Sequence, residues 1–317
     1  MASLIVALAI SLVWCLLAIW LGPRIGFVDT PDAHLKTHEH VAVPLGGVGV
    51  FFAVHVASLM EGGVDGALFA STALVLVLGL IDDRVGLTPW MRLTVETVAA
   101  VILVVGSSTV DSPVMSVLAV ALVVFAVNAV NLYDGLDGLA ASAALVAALG
   151  AAVLASVNGV PTGVSLPLAA ALAGFLVVGW HPARVFLGDS GAYVIGVMLA
   201  SVLIDTSEGD PWSLVASGSL LGVFALDLLV TLIRRRRSRK PLFAGDRSHV
   251  YDQLRDRGMS VPRVAMVSIA AQVVLVGLAL VVLVNMSPII AALVMAAAMG
   301  LLVALLVRYG FLGAETG

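Results

Sequence analysis

Long apolar stretches separated by short polar segments recur from one end of the chain to the other. Runs near the length needed to cross ~30 Å of hydrocarbon as a helix fall at roughly 3–21, 45–60, 67–81, 91–106, 114–130, 138–157, 164–179, 190–204, 213–233, 262–285 and 288–308. Within them Ala, Leu and Val follow one another without the strict alternation of barrel strands, so helices are predicted. The pattern predicts an all-α membrane protein with about eleven transmembrane helices. No basic segment precedes the first run, which therefore reads as a span and not as a cleaved signal. No internal repeat is visible. The longest polar stretches, 22–44 and 234–261, read as loops, and residues 1–317 as one polytopic domain.

Composition agrees. Of the 317 residues, 61% are apolar and only 11% charged, against about 25% charged in soluble domains. The mean hydropathy is +1.13. That is too little charge to cover a globular surface, which excludes a soluble enzyme, a nucleic-acid binder and a disordered scaffold. The lipid bilayer is the expected surrounding. The net charge of −4 decides little, because distribution outweighs sum in a membrane protein. Cys15, the single cysteine, cannot form an intrachain disulfide.

The charges sort by side. With eleven spans, the loops after spans 1, 3, 5, 7 and 9 and the end of span 11 contain all 16 Lys and Arg residues. The opposite set holds Glu61, Asp65, Asp111, Asp205, Glu208 and Asp210 and no basic residue. The positive-inside rule then predicts the N-terminus outside and the C-terminus cytoplasmic.

Every polar motif falls on that cytoplasmic side. These are Gly26-Phe-Val-Asp29-Thr-Pro31, Lys36-Thr-His38, Pro44-Leu-Gly46-Gly47, Gly79-Leu-Ile-Asp82-Asp83-Arg84, Asn128-Ala-Val-Asn131-Leu-Tyr-Asp134-Gly-Leu-Asp137-Gly138, Arg184-Val-Phe-Leu-Gly188-Asp189-Ser190-Gly191 and Gly245-Asp246-Arg247-Ser-His249. Their convergence predicts one active site in the cytoplasmic loops. Crowded carboxylates need protons or a cation, and Mg²⁺, with Mn²⁺ as a substitute, suits hard oxygen ligands that include substrate phosphates. Asn131 offers a neutral ligand of the same hardness. Residues 128, 131, 134 and 137 drift about 60° per step on a helix, so a break or loop is expected among them. Lys36, Arg247 and His249 suit phosphate oxygens. Carboxylates, a divalent cation and phosphate-holding cations together point to phosphoryl transfer at the bilayer edge.

Other residues read more plainly. The Arg234–Arg237 run anchors span 9 beside anionic lipid, and no nucleic-acid partner is expected. His34, His38 and His40 lack a carboxylate or cysteine to complete a tetrahedral metal set. Glu96 and Asp227 lie within spans and should face the bundle interior, with a hydrogen-bonded partner or a functional role equally open.

Taken in order, GFVDTP, KTH, PLGG, GLIDDR, NAVNLYDGLDGLA, VFLGDSG and GDRSH resemble the polyprenyl-phosphate N-acetylhexosamine-1-phosphate transferases, from Gly26 to about Leu254. The resemblance implies transfer of an N-acetylhexosamine 1-phosphate, with GlcNAc-1-phosphate leading. The donor would be a UDP-N-acetylhexosamine and the acceptor undecaprenyl or decaprenyl phosphate, with UMP released. This would be the first membrane step of cell-wall or surface glycan assembly at a bacterial plasma membrane. It implies Asp82 and Asp83 as catalytic base or nucleophile and Asn131 and Asp189 as Mg²⁺ ligands. Lys36, Asn128, Asp134, Asp137, Arg247 and His249 would contact substrate. A homodimer is one option for assembly. The chain departs from the family where a single His249 stands in place of two or three histidines, and where Phe224 replaces a proline near Asp227. The phospho-MurNAc-pentapeptide transferase branch favours the triple histidine and is the alternative within the family. A multi-pass transporter is the alternative outside it, although transporters commonly show internal repeats and midplane charges.

Overall fold

A computed structural model describes residues 1–29, 42–239 and 249–311. Two residues of the expected site, Lys36 and Arg247, lie outside them. The described residues are helical, with two isolated bridges, Asp29 to Ala42 and Val43 to Val185, and no longer strand.

The first helices are α1 (Ala2–Leu21), α2 (Gly46–Met60), α3 (Gly66–Val85), α4 (Pro89–Gly106) and α5 (Pro113–Tyr133). Next come α6 (Leu139–Asn158), α7 (Ser165–Gly179), α8 (Gly188–Thr206), the short α9 (Pro211–Ser217) and α10 (Gly222–Arg237). The chain ends with the short α11 (Val250–Asp256), then α12 (Val261–Asn285) and α13 (Pro288–Arg308). Local chemistry sets several boundaries. Asp65 accepts the Leu68 amide at 2.8 Å to open α3. Thr88 and Ser112 cap α4 and α5, each followed by a proline at the first helical position, where its missing N–H costs nothing.

Among the described residues, nine helical segments are long and apolar enough to cross a membrane. The runs at 45–60 and 164–179 become α2 and α7, of 15 residues each. That is about 22 Å of helix, short of the ~30 Å hydrocarbon core. The run at 213–233 is not continuous. It divides into α9, a 3₁₀ turn over Gly218–Leu221, and α10. Backbone groups freed in lipid must find partners, and Gln272 of α12 supplies both. Its Oε1 accepts the Val223 amide and its Nε2 donates to the Leu220 carbonyl, each at 2.9 Å. The polar stretch read as a loop after this span is partly helical, since α10 continues through Arg237 and α11 follows. The Arg234–Arg237 run occupies the last turn of α10, where cations meet the negative end of the helix dipole.

Helix α8 is the hub, the most buried of the long helices, with α3 and α5 its main neighbours and α2 and α6 beside them. The outermost helices, α1 and α13, present large apolar side chains such as Ile5, Leu16, Leu293 and Leu301.

Candidate active site

The site is built where α3 and α5 end and α8 begins. Helix α3 crosses the start of α8 backbone to backbone. A Cβ on Gly79 would lie 2.2 Å from Ser190 Cα, so only glycine permits this approach. The crossing carries Asp82 and Asp83, one turn further along α3, up to Asp189 in the first turn of α8. Gly188 precedes Asp189 at φ +72°, and a Cβ there would meet Asp83 Oδ2 at 2.6 Å. Glycine is required twice over at that position, by space and by dihedral.

These ends line a cavity of about 1100 Å³ that holds Asp82, Asp83, Asn131, Asp134, Asp137 and Asp189 together. The break expected among residues 128–137 is present. Helix α5 stops at Tyr133, Asp134 is its C-cap, and Asp137 lies in the loop before α6.

The paired aspartates differ in their surroundings. Asp82 is buried and saturated. Its Oδ1 accepts the Leu87 amide at 2.6 Å, and its Oδ2 accepts the Tyr193 hydroxyl at 2.7 Å and Arg92 Nη1 at 3.3 Å. Asp83 Oδ1 accepts the Asp189 amide at 2.9 Å. Asp83 Oδ2 is buried with no hydrogen-bond partner, an arrangement that costs free energy unless something else meets the atom. Asp134 lies within electrostatic reach of Asp189 and Asp137. Burial, with those two charges, pushes its carboxyl up to about 8.

Asp137 accepts His181 Nδ1 at 2.7 Å and the Ala183 amide at 3.1 Å, both on Oδ2. Asn128 does not line the cavity. Its amide donates to Glu96 Oε2 at 2.5 Å and to the Val124 carbonyl at 2.9 Å. Glu96 therefore has a partner inside the bundle. His249 also lies off the cavity wall and is 4% exposed. Its Nδ1 faces Asp227 Oδ2 at 2.6 Å, and its ring stacks on Tyr251 at 5.2 Å. Tyr251 in turn donates to the Leu132 carbonyl at 3.1 Å, docking α11 on the end of α5.

Three residues of this arrangement escape a reading of motifs: Arg92 and Tyr193 hold Asp82, and His181 holds Asp137. Asp227, expected inside the bundle, holds His249. The sequence carries a signal for one of the three: His181-Pro182 stands just ahead of the VFLGDSG motif. Among the described residues, no three His, Cys, Asp or Glu side chains are arranged to hold a metal ion by themselves. The donor set instead fits a hard cation such as Mg²⁺, which takes one or two protein carboxylates and completes its shell with water and substrate phosphate. The buried, unpartnered Asp83 Oδ2 and the crowding around Asp134 both favour positive charge in this space.

Residues 65–207 match the family described as glycosyl transferase family 4. The chain is 28% identical, over 82% of its length and 79% of the relative's, to the probable undecaprenyl-phosphate N-acetylglucosaminyl 1-phosphate transferase of Bacillus subtilis. It is 32% identical to the decaprenyl-phosphate N-acetylglucosaminephosphotransferase of Mycobacterium tuberculosis, covering 78% of this chain and 73% of that one. The undecaprenyl-phosphate alpha-N-acetylglucosaminyl 1-phosphate transferase of Thermotoga maritima is 28% identical, over 71% and 72% of the two chains.

Proposed function

This chain belongs to the polyprenyl-phosphate N-acetylhexosamine-1-phosphate transferases of glycosyl transferase family 4, and from that premise we infer that it transfers N-acetylglucosamine 1-phosphate from a UDP-sugar to a polyprenyl phosphate. UMP is the second product. The observation that carries the reading is the meeting of five aspartates from α3, the α5–α6 loop and α8 in one cavity.

Asn131 and Asp189 are the residues we assign to Mg²⁺, with Mn²⁺ able to take its place. When bound, the cation supplies positive charge against the phosphate oxygens. Asp83 is the proton acceptor: its Oδ2 has no other partner and takes the proton of a monoprotonated lipid phosphate. The deprotonated oxygen of the lipid phosphate then attacks the phosphorus bearing the sugar, forming the lipid diphosphate as the bond to UMP breaks. Asp82, with both oxygens engaged, positions the end of α3 and is not available as a second base. Asp134 and Asp137 contribute polar wall to the donor pocket. Lys36 and Arg247 are assigned to phosphate oxygens, while His249, off the cavity wall and held by Asp227, is assigned to the same phosphate-holding loop.

We place the site at the cytoplasmic face of a bacterial plasma membrane, because every Lys and Arg lies in or next to the loops of that set. In this topology α2 and α7 complete eleven crossings, with the N-terminus outside. Assembly as a homodimer is compatible with the exposed apolar helices.

The test is transfer of radiolabel from UDP-GlcNAc to undecaprenyl phosphate by the purified protein. Label that becomes extractable into butanol, with equal UMP released, supports the reading. Label that stays aqueous while UDP-GlcNAc binds contradicts it.

A further inference from the structure

We propose that His181 binds a phosphate oxygen of substrate, with Asp137 as the residue that positions its ring. The proposal rests on the reading of the cavity as a phosphoryl-transfer site and adds a contact that the family motifs quoted above do not include.

The evidence is geometric. His181 is half-buried and lines the same cavity as Asp83 and Asp189. Its Nδ1 is held by Asp137 Oδ2 at 2.7 Å. That leaves Nε2 as the one polar atom of the ring not engaged by the wall, in a direction set by the carboxylate behind it. The same carboxylate oxygen accepts the Ala183 amide, so Asp137 fixes both the ring and the backbone that carries it.

The segment is also held from its other end. Phe186 donates to the Val43 carbonyl at 3.0 Å, and the Gly46 and Gly47 amides donate to the Phe186 and Leu187 carbonyls at 2.9 and 3.0 Å. His181 thus stands on a pinned loop that runs directly into Gly188 and Asp189. A rigid support of this kind is what a binding side chain needs if its hydrogen bond is to be made without losing much freedom.

The chemistry selects the ligand. Three arginines also line the cavity, and each is directed elsewhere. Arg92 pairs with Asp82, Arg84 lies over the Phe27 ring and Arg255 donates to the Met259 carbonyl. An imidazolium between a carboxylate and a phosphate makes a charge-assisted hydrogen bond on each nitrogen. Asp134 is within electrostatic reach of Asp137 on this side and of Asp83 and Asp189 on the other, and all of them line the one cavity with His181. His181 is therefore placed to meet a phosphate adjoining the reacting one. That phosphate belongs either to the nucleotide or to the lipid, and the test separates them.

The experiment measures binding of uridine, UMP and farnesyl phosphate to the purified full-length protein by calorimetry, for wild type, His181→Ala and His181→Gln. The expected result is that His181→Ala weakens either UMP or farnesyl phosphate about tenfold or more, the size of one charge-assisted hydrogen bond, and leaves uridine unchanged. His181→Gln, which keeps an N–H donor, should recover part of the loss. Whichever phosphate weakens identifies the source. Phosphate affinities within twofold of wild type in His181→Ala overturn the proposal. So does parallel weakening of uridine, or a Gln variant as weak as Ala with a lowered melting temperature, since both mark His181 as a structural support of the loop. Failure of wild type to bind any of the three ligands instead contradicts the transferase reading itself.

Discussion

The backbone N–H of Asp189 donates to Asp83 Oδ1 at 2.9 Å across 106 residues of sequence. One hydrogen bond thereby ties the end of α3 to the start of α8 and brings two carboxylates to a single point. It also decides which atom of Asp83 remains for chemistry. With Oδ1 committed to the scaffold, Oδ2 is the oxygen left without a hydrogen-bond partner.

That division separates the two aspartates in mutants. Asp83→Asn keeps an acceptor for the Asp189 amide and removes the base, so turnover should fall by at least about 10²-fold with the melting temperature close to wild type. Asp82→Ala removes the acceptor of three hydrogen bonds, one from a charged group. It should lower stability by about 2 kcal/mol or more along with activity. A thermal-shift measurement beside the transfer assay distinguishes the two patterns. Equal destabilisation by both substitutions would contradict the assignment.

Gly79→Ala should fail even though the change is small. Its Cβ would stand 2.2 Å from Ser190 Cα, and the obstacle is backbone, not a side chain that can swing away. The helices must part, moving Asp83 off the Asp189 amide. Loss of transfer together with a lowered melting temperature is expected, and a wild-type rate in Gly79→Ala would show that the crossing tolerates more separation than described.

Asp134 gives a pH signature. Its carboxyl is raised to about 8 by burial and by Asp189 and Asp137, against about 3.9 for an unperturbed aspartate. A raised acid pKa means the folded state binds the extra proton, so this group's destabilising effect grows as pH rises from about 4 to about 8 and is then complete. Asp134→Asn removes that penalty. Measured in EDTA, its melting temperature should exceed wild type by more at pH 8.5 than at pH 5. A constant difference across that range would contradict the burial argument.

Gln272 offers a test of the broken span. Gln272→Leu leaves the Val223 N–H and Leu220 carbonyl without partners in an apolar interior, at about 1–3 kcal/mol for each buried group. Thermal unfolding in detergent should detect the loss, and an unchanged midpoint would mean that other groups satisfy the turn.

Much of this site is legible in the chain because charge is rare in it. Asp82, Asp83, Asp134, Asp137 and Asp189 stand out at the ends of apolar runs, where ionisable groups are costly. A break among residues 128–137 follows from helical geometry alone. Pairings across the bundle are not legible. Nothing near Asn128 announces that its amide would meet Glu96, 32 residues earlier, and nothing near His181 announces Asp137, 44 residues away. The interruption between α9 and α10 is hidden for a related reason. Its side chains are as apolar as a continuous span, and the partner of its backbone lies 49 residues on, in α12. Likewise, the 3.6-residue pattern cannot separate Asp82 from Asp83, because hydrogen-bond saturation depends on Tyr193 and Arg92.

The most direct test of the account is UMP release from UDP-GlcNAc in the presence of undecaprenyl phosphate, measured for wild type and Asp189→Asn with Mg²⁺, with EDTA, and with Mg²⁺ restored. The account predicts release by wild type that stops in EDTA and returns with Mg²⁺, and a folded Asp189→Asn protein that is inactive at ordinary Mg²⁺ concentrations. Undiminished release in EDTA, or full activity in Asp189→Asn, would contradict it.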